Sequence, residues 1–295
     1  MEYSPVRDKG PSRRAFLSQL ASLALTATAG RSAPSDRRFQ VGVCAPTADF
    51  DQVERFGFDY LEAPAAEISA MSEAQFRAFR AQVLASRLRC RAFNNFTRTF
   101  RIVGPDASPR AHEAYLDICL PRCRELGGEI VVWGSAGSRN VPDGYSRDRA
   151  WAQIVQFLQM AGERARPLQL IIAIEPLSHP ESNIINTAAE ALRLVREVDH
   201  PNVRMIVDFY HLRRENEDPE IIFQARSEIV HFHFANPQGR RWPKDPGEDP
   251  EYAHFFQILK KIGYGGGISI EGRGSLQQDA VDSLAFFRGE LSLRP

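Results

Sequence analysis

Four side chains that could bind a metal ion stand at the ends of short apolar runs in the second half of the chain. These candidate ligands are Glu175, Asp208, His233 and Glu271. An ionised carboxylate at the end of a buried strand is costly to desolvate unless a cation or a hydrogen-bond donor lies beside it. A divalent ion would offset three such carboxylates at once, and a shell of carboxylate oxygens with one imidazole suits manganese, magnesium or cobalt better than zinc. Together the four residues predict one divalent metal site.

These residues can meet only if the runs that carry them are neighbouring strands. From Phe39 onward, short apolar runs alternate with longer amphipathic stretches, which predicts a parallel sheet with helices packed outside it. Eight units of this kind close most naturally into a single (β/α)8 TIM barrel of the α/β class, whose active site lies at the C-terminal strand ends. The predicted strands span residues 39–45, 60–64, 88–96, 129–135, 170–177, 203–211, 229–236 and 266–273.

A doubly wound open sheet is the alternative architecture. It is disfavoured because no Gly-x-Gly-x-x-Gly pattern follows the first predicted strand, and because the acidic and histidine residues gather at later strand ends. Since no nucleotide-binding pattern is evident, we expect no nucleotide cofactor. The predicted helices include residues 72–87, 108–126, 146–166, 187–198, 250–262 and 275–291.

The length, charge balance and cysteines of the chain indicate which kinds of partner and bond are not expected. The chain has 295 residues, enough for one barrel domain, and Lys plus Arg equals Asp plus Glu at 37 each. Nucleic acid is therefore not an expected partner, and neither is an acidic membrane surface. The four cysteines, Cys44, Cys90, Cys119 and Cys123, form no CxxC pair and are predicted to be small buried apolar residues.

The N-terminal segment has the features of an export signal. The residues Ser12-Arg13-Arg14-Ala15-Phe16-Leu17 match the twin-arginine pattern, and the apolar stretch that follows is too short to span a membrane. Ala27-Thr28-Ala29 offers a small-x-small cleavage pattern. We therefore predict a cleavable signal peptide and linker at residues 1–38 and a catalytic barrel at residues 39–295. The mature protein would be periplasmic or otherwise exported, without stable membrane association. A cytoplasmic protein with a basic N-terminal arm is the alternative.

Several motifs resemble the xylose-isomerase-like TIM-barrel superfamily, in its ketose 3-epimerase and sugar isomerase/epimerase branch. They are Ile174-Glu175-Pro176-Leu177, Glu181-Ser182-Asn183-Ile184-Ile185-Asn186-Thr187, Val207-Asp208-Phe209-Tyr210-His211, His231-Phe232-His233 and Ile270-Glu271-Gly272. The resemblance implies that the four candidate ligands bind one divalent ion, with manganese expected first and cobalt or magnesium as alternatives. It also implies that Glu175 and Glu271 act as acid and base on a carbon next to a carbonyl.

The resemblance further implies substrate contacts. Glu181, six residues after Glu175, and His211, three after Asp208, match positions that contact substrate oxygens in the family. The family's substrate-binding arginine after strand 7 has two candidates here, Arg240 and Arg241.

Three aromatic or histidine residues near the predicted site allow two interpretations each. Trp133 could form an apolar wall against a sugar ring, as could Trp242 in the strand-7 loop, although core packing is the commoner use of both. His231 lies two residues before His233 on the same strand and is predicted to be a core residue one layer deeper.

The first functional hypothesis is a metal-dependent epimerase or isomerase of a ketose or related small carbohydrate. The second is a lyase or hydratase of a 3-keto-glycoside, which shares the enolisation step and which export favours. A metal-free sugar-binding module would have no use for three converging carboxylates. A nuclease of the endonuclease-four branch would need more histidines and a basic surface. Family habit implies dimers or larger homo-oligomers.

Overall fold

Eight parallel strands close into a barrel in the computed structural model, which describes Met1 and residues 39–292. Each strand pairs with the next, and β8 pairs with β1 to complete the ring. The predicted eight-stranded barrel is confirmed, and the open sheet is excluded. The strands are β1 Gln40–Cys44, β2 Tyr60–Pro64, β3 Cys90–Asn94, β4 Ile130–Trp133, β5 Ile171–Ile174, β6 Val203–Asp208, β7 Ile229–Phe234 and β8 Gly267–Ile270.

Helices cover the outside of the barrel. Four of the long helices begin after a Ser or Thr, namely Ser72, Ser108, Ser146 and Thr187, whose side chain accepts a backbone N–H of the first turn. The α-helices of the described residues are α1 Phe50–Phe56, α2 Ala65–Ala70, α3 Glu73–Ala85, α4 Pro109–Glu125, α5 Ala136–Arg139, α6 Arg147–Ala165, α7 Ala188–Val198, α8 Phe209–Arg214, α9 Ile221–Ala225, α10 Tyr252–Lys261 and α11 Leu276–Ser292. Within those residues, no helix combines the length and the hydropathy needed to cross a membrane.

The inside of the barrel is filled by a small apolar cluster with a tyrosine at one side. Tyr60 of β2 packs there with residues such as Ile130 and Ile206. Its ring fits because two nearby positions, Gly42 on β1 and Gly267 on β8, lack a Cβ: a Cβ on Gly42 would lie 2.1 Å from the Tyr60 ring, and one on Gly267 would lie 2.8 Å from its hydroxyl. Two glycines therefore make room for one buried phenol.

The sixth strand is shorter than predicted. It ends at Asp208 rather than at His211, because Asp208 accepts the backbone N–H of Tyr210 and begins helix α8. His211 therefore lies on a helix and not on a strand. Apart from Met1, the predicted signal peptide and linker fall on residues outside those that the structure describes, and they remain a prediction.

Candidate active site

The carboxyl ends of β5 to β8 bring the four predicted ligands to one point. Glu175 follows β5, Asp208 ends β6, His233 is the penultimate residue of β7, and Glu271 follows β8. One ligand atom from each lies within 4.8 Å of the others. Nδ1 of His233 is 2.8 Å from Glu175 Oε1 and 3.5 Å from Glu271 Oε2. The fold thus gathers three carboxylates and one imidazole in a small volume.

This cluster has an incompletely paired oxygen that a cation would satisfy. Asp208 Oδ2 is buried and accepts no hydrogen bond from the described residues; its nearest donors are His211 Nε2 at 3.6 Å and Arg240 Nη2 at 3.7 Å. Burial raises the pKa of Asp208 to about 7, with Glu271 adding to the effect and Arg240 opposing it. An oxygen-rich set of donors with an orphaned carboxylate oxygen fits a divalent cation of the manganese or magnesium type.

Neighbouring charges set the protonation of the other cluster members. Burial alone would lower the pKa of His233, but the carboxylates of Glu62 and Glu175 raise it well above its ordinary value. Burial raises the pKa of Glu175, with His233 opposing. Burial would also raise the pKa of Glu271, but Arg240 and His233 hold it at about 2. A proton on His233 therefore supplies the positive charge between these carboxylates in the absence of a metal.

Of the two candidate arginines, Arg240 reaches the cluster. Its guanidinium pairs with Glu271 and lies 3.1 Å from Glu181 Oε1 and 4.8 Å over the Tyr210 ring. Arg241 instead donates to the carbonyl of Gln238 outside the cluster. Arg240 also has a left-handed backbone, with φ of 53°, a conformation that is uncommon for residues other than glycine.

His211 presents a free donor to the same space. Its Nδ1 accepts the backbone N–H of Ser178 at 3.0 Å, so the ring proton resides on Nε2. Nε2 has no hydrogen-bond partner among the described residues and lies 3.6 Å from Asp208 and 3.9 Å from Glu181. Burial and the nearby Arg240 lower the pKa of His211 to about 3, so the ring is neutral at physiological pH. It can donate one hydrogen bond to a bound oxygen.

Trp133 and Trp242, two of the three tryptophans of the chain, pack inside the protein. Trp133 is fully buried, its indole N–H donates to Thr97 Oγ1, and the Arg139 guanidinium lies 5.0 Å from its ring. Trp242 is also buried, with its N–H on the carbonyl of Gly272. The structure therefore brings neither indole ring into the open part of the cluster. The expected apolar wall for a sugar ring gains no support from Trp133.

The backbone next to Trp133 is closely fitted to a candidate ligand. A Cβ built on Gly134 would lie 1.6 Å from Glu175 Oε2. Only the absence of a side chain there leaves room for the carboxylate. Gly134 is thus part of the site, although a single glycine after a strand gives no such signal in the sequence.

A buried carboxylate on β2 was not predicted from the sequence. Glu62 accepts hydrogen bonds from Nε2 of His231 and from Nε2 of His233, each at 2.9 Å. A signal was available, since Glu62 is the one charged residue in an otherwise apolar run at residues 60–64. His231 is buried in the core as predicted, but it is bonded to this carboxylate.

A buried arginine was also missed. Arg139 is fully buried at the end of α5, and it donates to the carbonyls of Trp133 at 3.1 Å and Glu175 at 2.8 Å. Burial lowers the pKa of its guanidinium to about 10. It joins the ends of β4 and β5 next to the cluster. No spacing or composition distinguishes Arg139 from the many surface arginines of the chain.

The cysteine prediction was correct for three of four residues. Cys90, Cys119 and Cys123 are buried free thiols, and the Sγ atoms of Cys119 and Cys123 are 4.0 Å apart without a disulfide. Cys44 was wrongly grouped with them. It is half-buried at the end of β1, and its Sγ lies within 4.8 Å of ligand atoms of Glu62 and His233, because β1 ends at the same mouth of the barrel.

Curated relatives of this chain are sugar epimerases and isomerases. The D-psicose 3-epimerase of Agrobacterium fabrum is 27% identical over 227 residues, which is 75% of this chain and 77% of the relative. The 3-dehydro-D-guloside 4-epimerase of Escherichia coli is 28% identical over 179 residues, 57% of this chain and 67% of the relative. The chain therefore shares long stretches of sequence with enzymes that act on small sugars.

Solved structures show the same fold. The apo 3-keto-D-glucoside 4-epimerase of E. coli superimposes with a TM-score of 0.75 at 21% identity, covering 85% of this chain and 100% of that one. D-psicose 3-epimerase from Clostridium cellulolyticum H10, solved with D-tagatose, gives a TM-score of 0.75 at 21% identity, covering 86% of this chain and 99% of that one. At this level of identity the likeness establishes the barrel.

The family assignment comes from the sequence profile. The profile described as xylose isomerase-like TIM barrel matches residues 50–289, which include all eight strands except the first. The resemblance inferred from the strand-end motifs is confirmed by this match and by the curated relatives. This chain belongs to the xylose isomerase-like TIM-barrel family.

Proposed function

We propose that this protein is a divalent-metal-dependent sugar epimerase or isomerase that moves a proton at a carbon next to a carbonyl. The observation that carries the proposal is the convergence of Glu175, Asp208, His233 and Glu271 within 4.8 Å at the C-terminal end of the barrel. Active sites of this fold lie at that end. Membership of a family whose curated relatives are sugar epimerases supports the same reaction class.

The candidate ligands would hold the cation, with manganese expected first and cobalt or magnesium as alternatives. When bound, such a cation polarises a carbonyl oxygen and stabilises the negative charge that develops there. The chain supplies the proton transfer. Glu175 and Glu271 each place a carboxylate oxygen within 3.5 Å of His233 Nδ1, so both reach the same small space. One carboxylate would remove the proton and the other would return it.

The rim of the cluster is suited to a polyhydroxylated substrate. His211 offers an unpaired N–H, while Glu181 and Arg240 face each other at 3.1 Å across the opening. A ligand hydroxyl could replace either half of that ion pair without leaving a buried charge unpaired, because Glu181 is partly exposed and Arg240 also pairs with Glu271. We propose that these three residues bind substrate oxygens.

Hydrogen exchange tests the reaction. The manganese-loaded protein is mixed in heavy water with a panel of ketoses and 3-keto-glycosides, and proton NMR follows the carbon beside each carbonyl. We expect deuterium to enter that position in at least one substrate, with a new epimer or isomer appearing. No exchange with any member of the panel, despite bound metal, would rule out this proposal for the substrates tested.

Two variants test the acid and base. Glu175→Gln and Glu271→Gln keep the size and one carbonyl oxygen of each side chain but cannot accept the proton. We expect turnover to fall by ~10²-fold or more in each, the usual contribution of general acid–base catalysis. Metal content is measured on the same samples. Unchanged turnover in a metal-loaded variant would contradict the assigned role of that residue.

A 3-keto-glycoside lyase or hydratase is the second candidate function. It would use the same enolisation and then expel a leaving group. The relationship to an E. coli 3-dehydro-D-guloside 4-epimerase favours keto-glycosides as a substrate class. The products distinguish the two candidates, since a lyase releases the aglycone or sugar acceptor, whereas an epimerase conserves the glycosidic bond.

We also propose that the protein is exported through the twin-arginine route. The support is the pattern around Arg13 and Arg14 and the apolar stretch that follows it. The test is fractionation of cells that express the full chain or the paired substitution Arg13→Lys and Arg14→Lys. Export predicts a shortened protein outside the cytoplasm for the natural sequence and retention of the variant. Equal distribution of both chains would favour the cytoplasmic alternative.

A further inference from the structure

A second polar layer lies beneath the candidate metal ligands, on β2, β7 and β8. At its centre is Glu62, whose side chain is fully buried. Its Oε1 accepts His233 Nε2–H at 2.9 Å, and its Oε2 accepts His231 Nε2–H at 2.9 Å and the Ser269 hydroxyl at 2.6 Å. The Tyr60 hydroxyl in turn lies 2.9 Å from Ser269 Oγ. This buried carboxylate therefore has three donors from two other strands.

The contact with His233 decides which ring nitrogen faces the ligand cluster. A carboxylate only accepts hydrogen bonds, so Nε2 of His233 must carry the hydrogen. Nδ1 is then the one nitrogen of His233 that can bind a metal, and it points to Glu175 and Glu271. Histidine ligands of metal sites commonly have their other ring N–H on a carboxylate, which fixes the tautomer and the ring orientation.

We propose that Glu62 is the positioning residue of the metal site, holding His233 in the tautomer and orientation that offer Nδ1 to the ion. This inference rests on the metal site of the proposed function. Glu62 would not touch the ion or the substrate and would act only through His233.

The carboxylate is itself fixed, which a positioning residue requires. Ser269 and His231 hold Oε2, so Glu62 cannot rotate without breaking two further hydrogen bonds. The Tyr60 hydroxyl is hydrogen-bonded to Ser269, and the Tyr60 ring is confined because Gly42 and Gly267 leave it just enough space. Such a support, with each rotamer locked by its neighbours, is how proteins hold a ligand to within a fraction of an ångström.

The geometry also argues against a separate cation held by Glu62. Ligand atoms of Cys44, Glu62 and His233 lie within 4.8 Å of one another. However, both oxygens of Glu62 already accept N–H or O–H donors, and none of its atoms is among the unpartnered buried polar atoms of the described residues. A cation in that position would need the lone pair of His233 Nε2, which the hydrogen bond to Glu62 excludes.

The test is metal binding by the full-length chain and by Glu62→Gln, with Co2+ as the spectroscopic probe and Mn2+ as a second ion. We expect the affinity of Glu62→Gln for both ions to fall ~10–100-fold, the usual effect of losing the carboxylate behind a metal-bound histidine. We also expect the visible absorption of bound Co2+ to change. Asp249→Asn is the matched control, because Asp249 is a buried carboxylate that contacts Arg213 and the start of α10, away from the ligands. Its metal affinity should equal that of the unaltered chain.

The outcomes separate this inference from the proposed function. If the unaltered chain binds neither ion, the proposed metal site itself is wrong, and the inference falls with it. If the unaltered chain and Glu62→Gln bind with equal affinity and give equal Co2+ spectra, the metal site stands and the positioning role is overturned. A drop confined to the melting temperature would show that Glu62 serves stability alone, which also overturns the inference.

A second variant decides the question if Glu62→Gln does not fold. Ser269→Ala removes one donor to Glu62 while leaving His233 and the four ligands intact. We expect a smaller loss of Co2+ affinity, roughly 3- to 10-fold, because the carboxylate would be less firmly held. Unchanged affinity in folded Ser269→Ala would contradict the positioning role.

Discussion

Gly134 is the place where a single methyl group should do most harm to the site. A Cβ there would lie 1.6 Å from Glu175 Oε2, and that oxygen is the far end of a side chain that can move aside. Folding should therefore tolerate Gly134→Ala, whereas the carboxylate would be pushed from its position. We expect turnover to fall at least ~100-fold, as a displacement of about 1 Å can cause, with little change in melting temperature.

Gly137→Ala is the control for that substitution. Gly137 lies in α5, three residues further along, and an added Cβ there meets no atom within 4 Å. Its turnover should equal that of the unaltered chain. Equal activity of Gly134→Ala and Gly137→Ala would mean that Glu175 has freedom the structure does not indicate.

A metal ion at the proposed site would compete with protons for the same residues. Burial raises the pKa of Asp208 to about 7, and the carboxylates around His233 raise its pKa against the effect of burial. At pH 7 the metal-free cluster therefore holds protons that a cation must displace. Metal affinity should fall as the pH decreases below 7, because Asp208 then takes up its proton in addition to the one that His233 already holds, and a cation must displace both.

Calorimetry of Mn2+ binding in buffers with different ionisation enthalpies measures that release directly. We expect about one proton or more to leave per ion bound at pH 7, in keeping with metal binding to protonated ligands. A heat of binding that is the same in every buffer would show that no proton is released.

The loop between β5 and α7 places Glu181 at the rim. Asn186 holds this loop by donating to the carbonyls of Leu177 at 2.8 Å and Ser182 at 2.6 Å. Ile185 beside it has a left-handed backbone with φ of 59°, a conformation that is strained for a β-branched residue. We infer that these contacts hold Glu181 in place at the expense of local strain.

Asn186→Ala should loosen that loop. Two buried hydrogen bonds would be lost, with a decrease in unfolding free energy of about 2 kcal/mol. Since Glu181 would be less well held, KM for the substrate should rise more than kcat falls. Asn202→Ala is the matched control, because Asn202 donates to the carbonyl of Leu170 just before β5 at the opposite end of the barrel. It should lower stability without changing KM, and a parallel rise of KM in both variants would contradict this account.

Elements whose apolar residues follow a regular pattern could be predicted from the sequence. Element ends and side-chain positions that depend on particular contacts could not. All eight strands lie within or close to their predicted ranges because buried parallel strands are continuous apolar runs. Some strands were predicted to extend too far. The sixth was predicted to reach His211, but β6 ends at Asp208, because the carboxylate of Asp208 caps helix α8. The choice between Arg240 and Arg241 depended on their contacts, Arg240 with Glu181 and Glu271 and Arg241 with the carbonyl of Gln238, which no residue type indicates.

The residues of the candidate site likewise comprise some that could be predicted from the sequence and some that could not. The residues at strand ends could be found because topology places them on one edge. Glu62 could have been found by the same argument, since a carboxylate in an apolar strand needs a partner. Arg139 could not have been found in this way, because its two acceptors are the backbone carbonyls of Trp133 and Glu175. No residue type in the sequence indicates a contact with a backbone carbonyl.

Stability of the whole barrel should depend on the metal. Three carboxylates lie together in the metal-free cluster, so a cation that binds only the folded chain stabilises it. With Mn2+ at about 100 times its Kd, the gain is ~2.7 kcal/mol, and the melting temperature of a domain of this size should rise by roughly 5–10 °C. Thermal unfolding in Mn2+ and in a chelator measures this shift.

Asp208→Asn separates binding from a general salt effect. Removal of one ligand should abolish most of the Mn2+ response while relieving charge repulsion in the metal-free protein. Asp249→Asn should keep the full response, since Asp249 lies outside the cluster. An equal shift in both variants would mean that Mn2+ stabilises the protein somewhere else.

The hydrogen bond between Ser269 and Glu62 joins residues 207 positions apart, so the site can form only late in the synthesis of the chain. As the chain emerges from the ribosome, Glu62 appears early and has neither of its histidines nor its serine. Until β8 has been made and pairs with β1, the growing sheet has two open edges and an incomplete ligand set. Metal loading at the proposed site would consequently be confined to molecules whose synthesis has passed β8, and a nascent chain stalled before that point should bind no ion there.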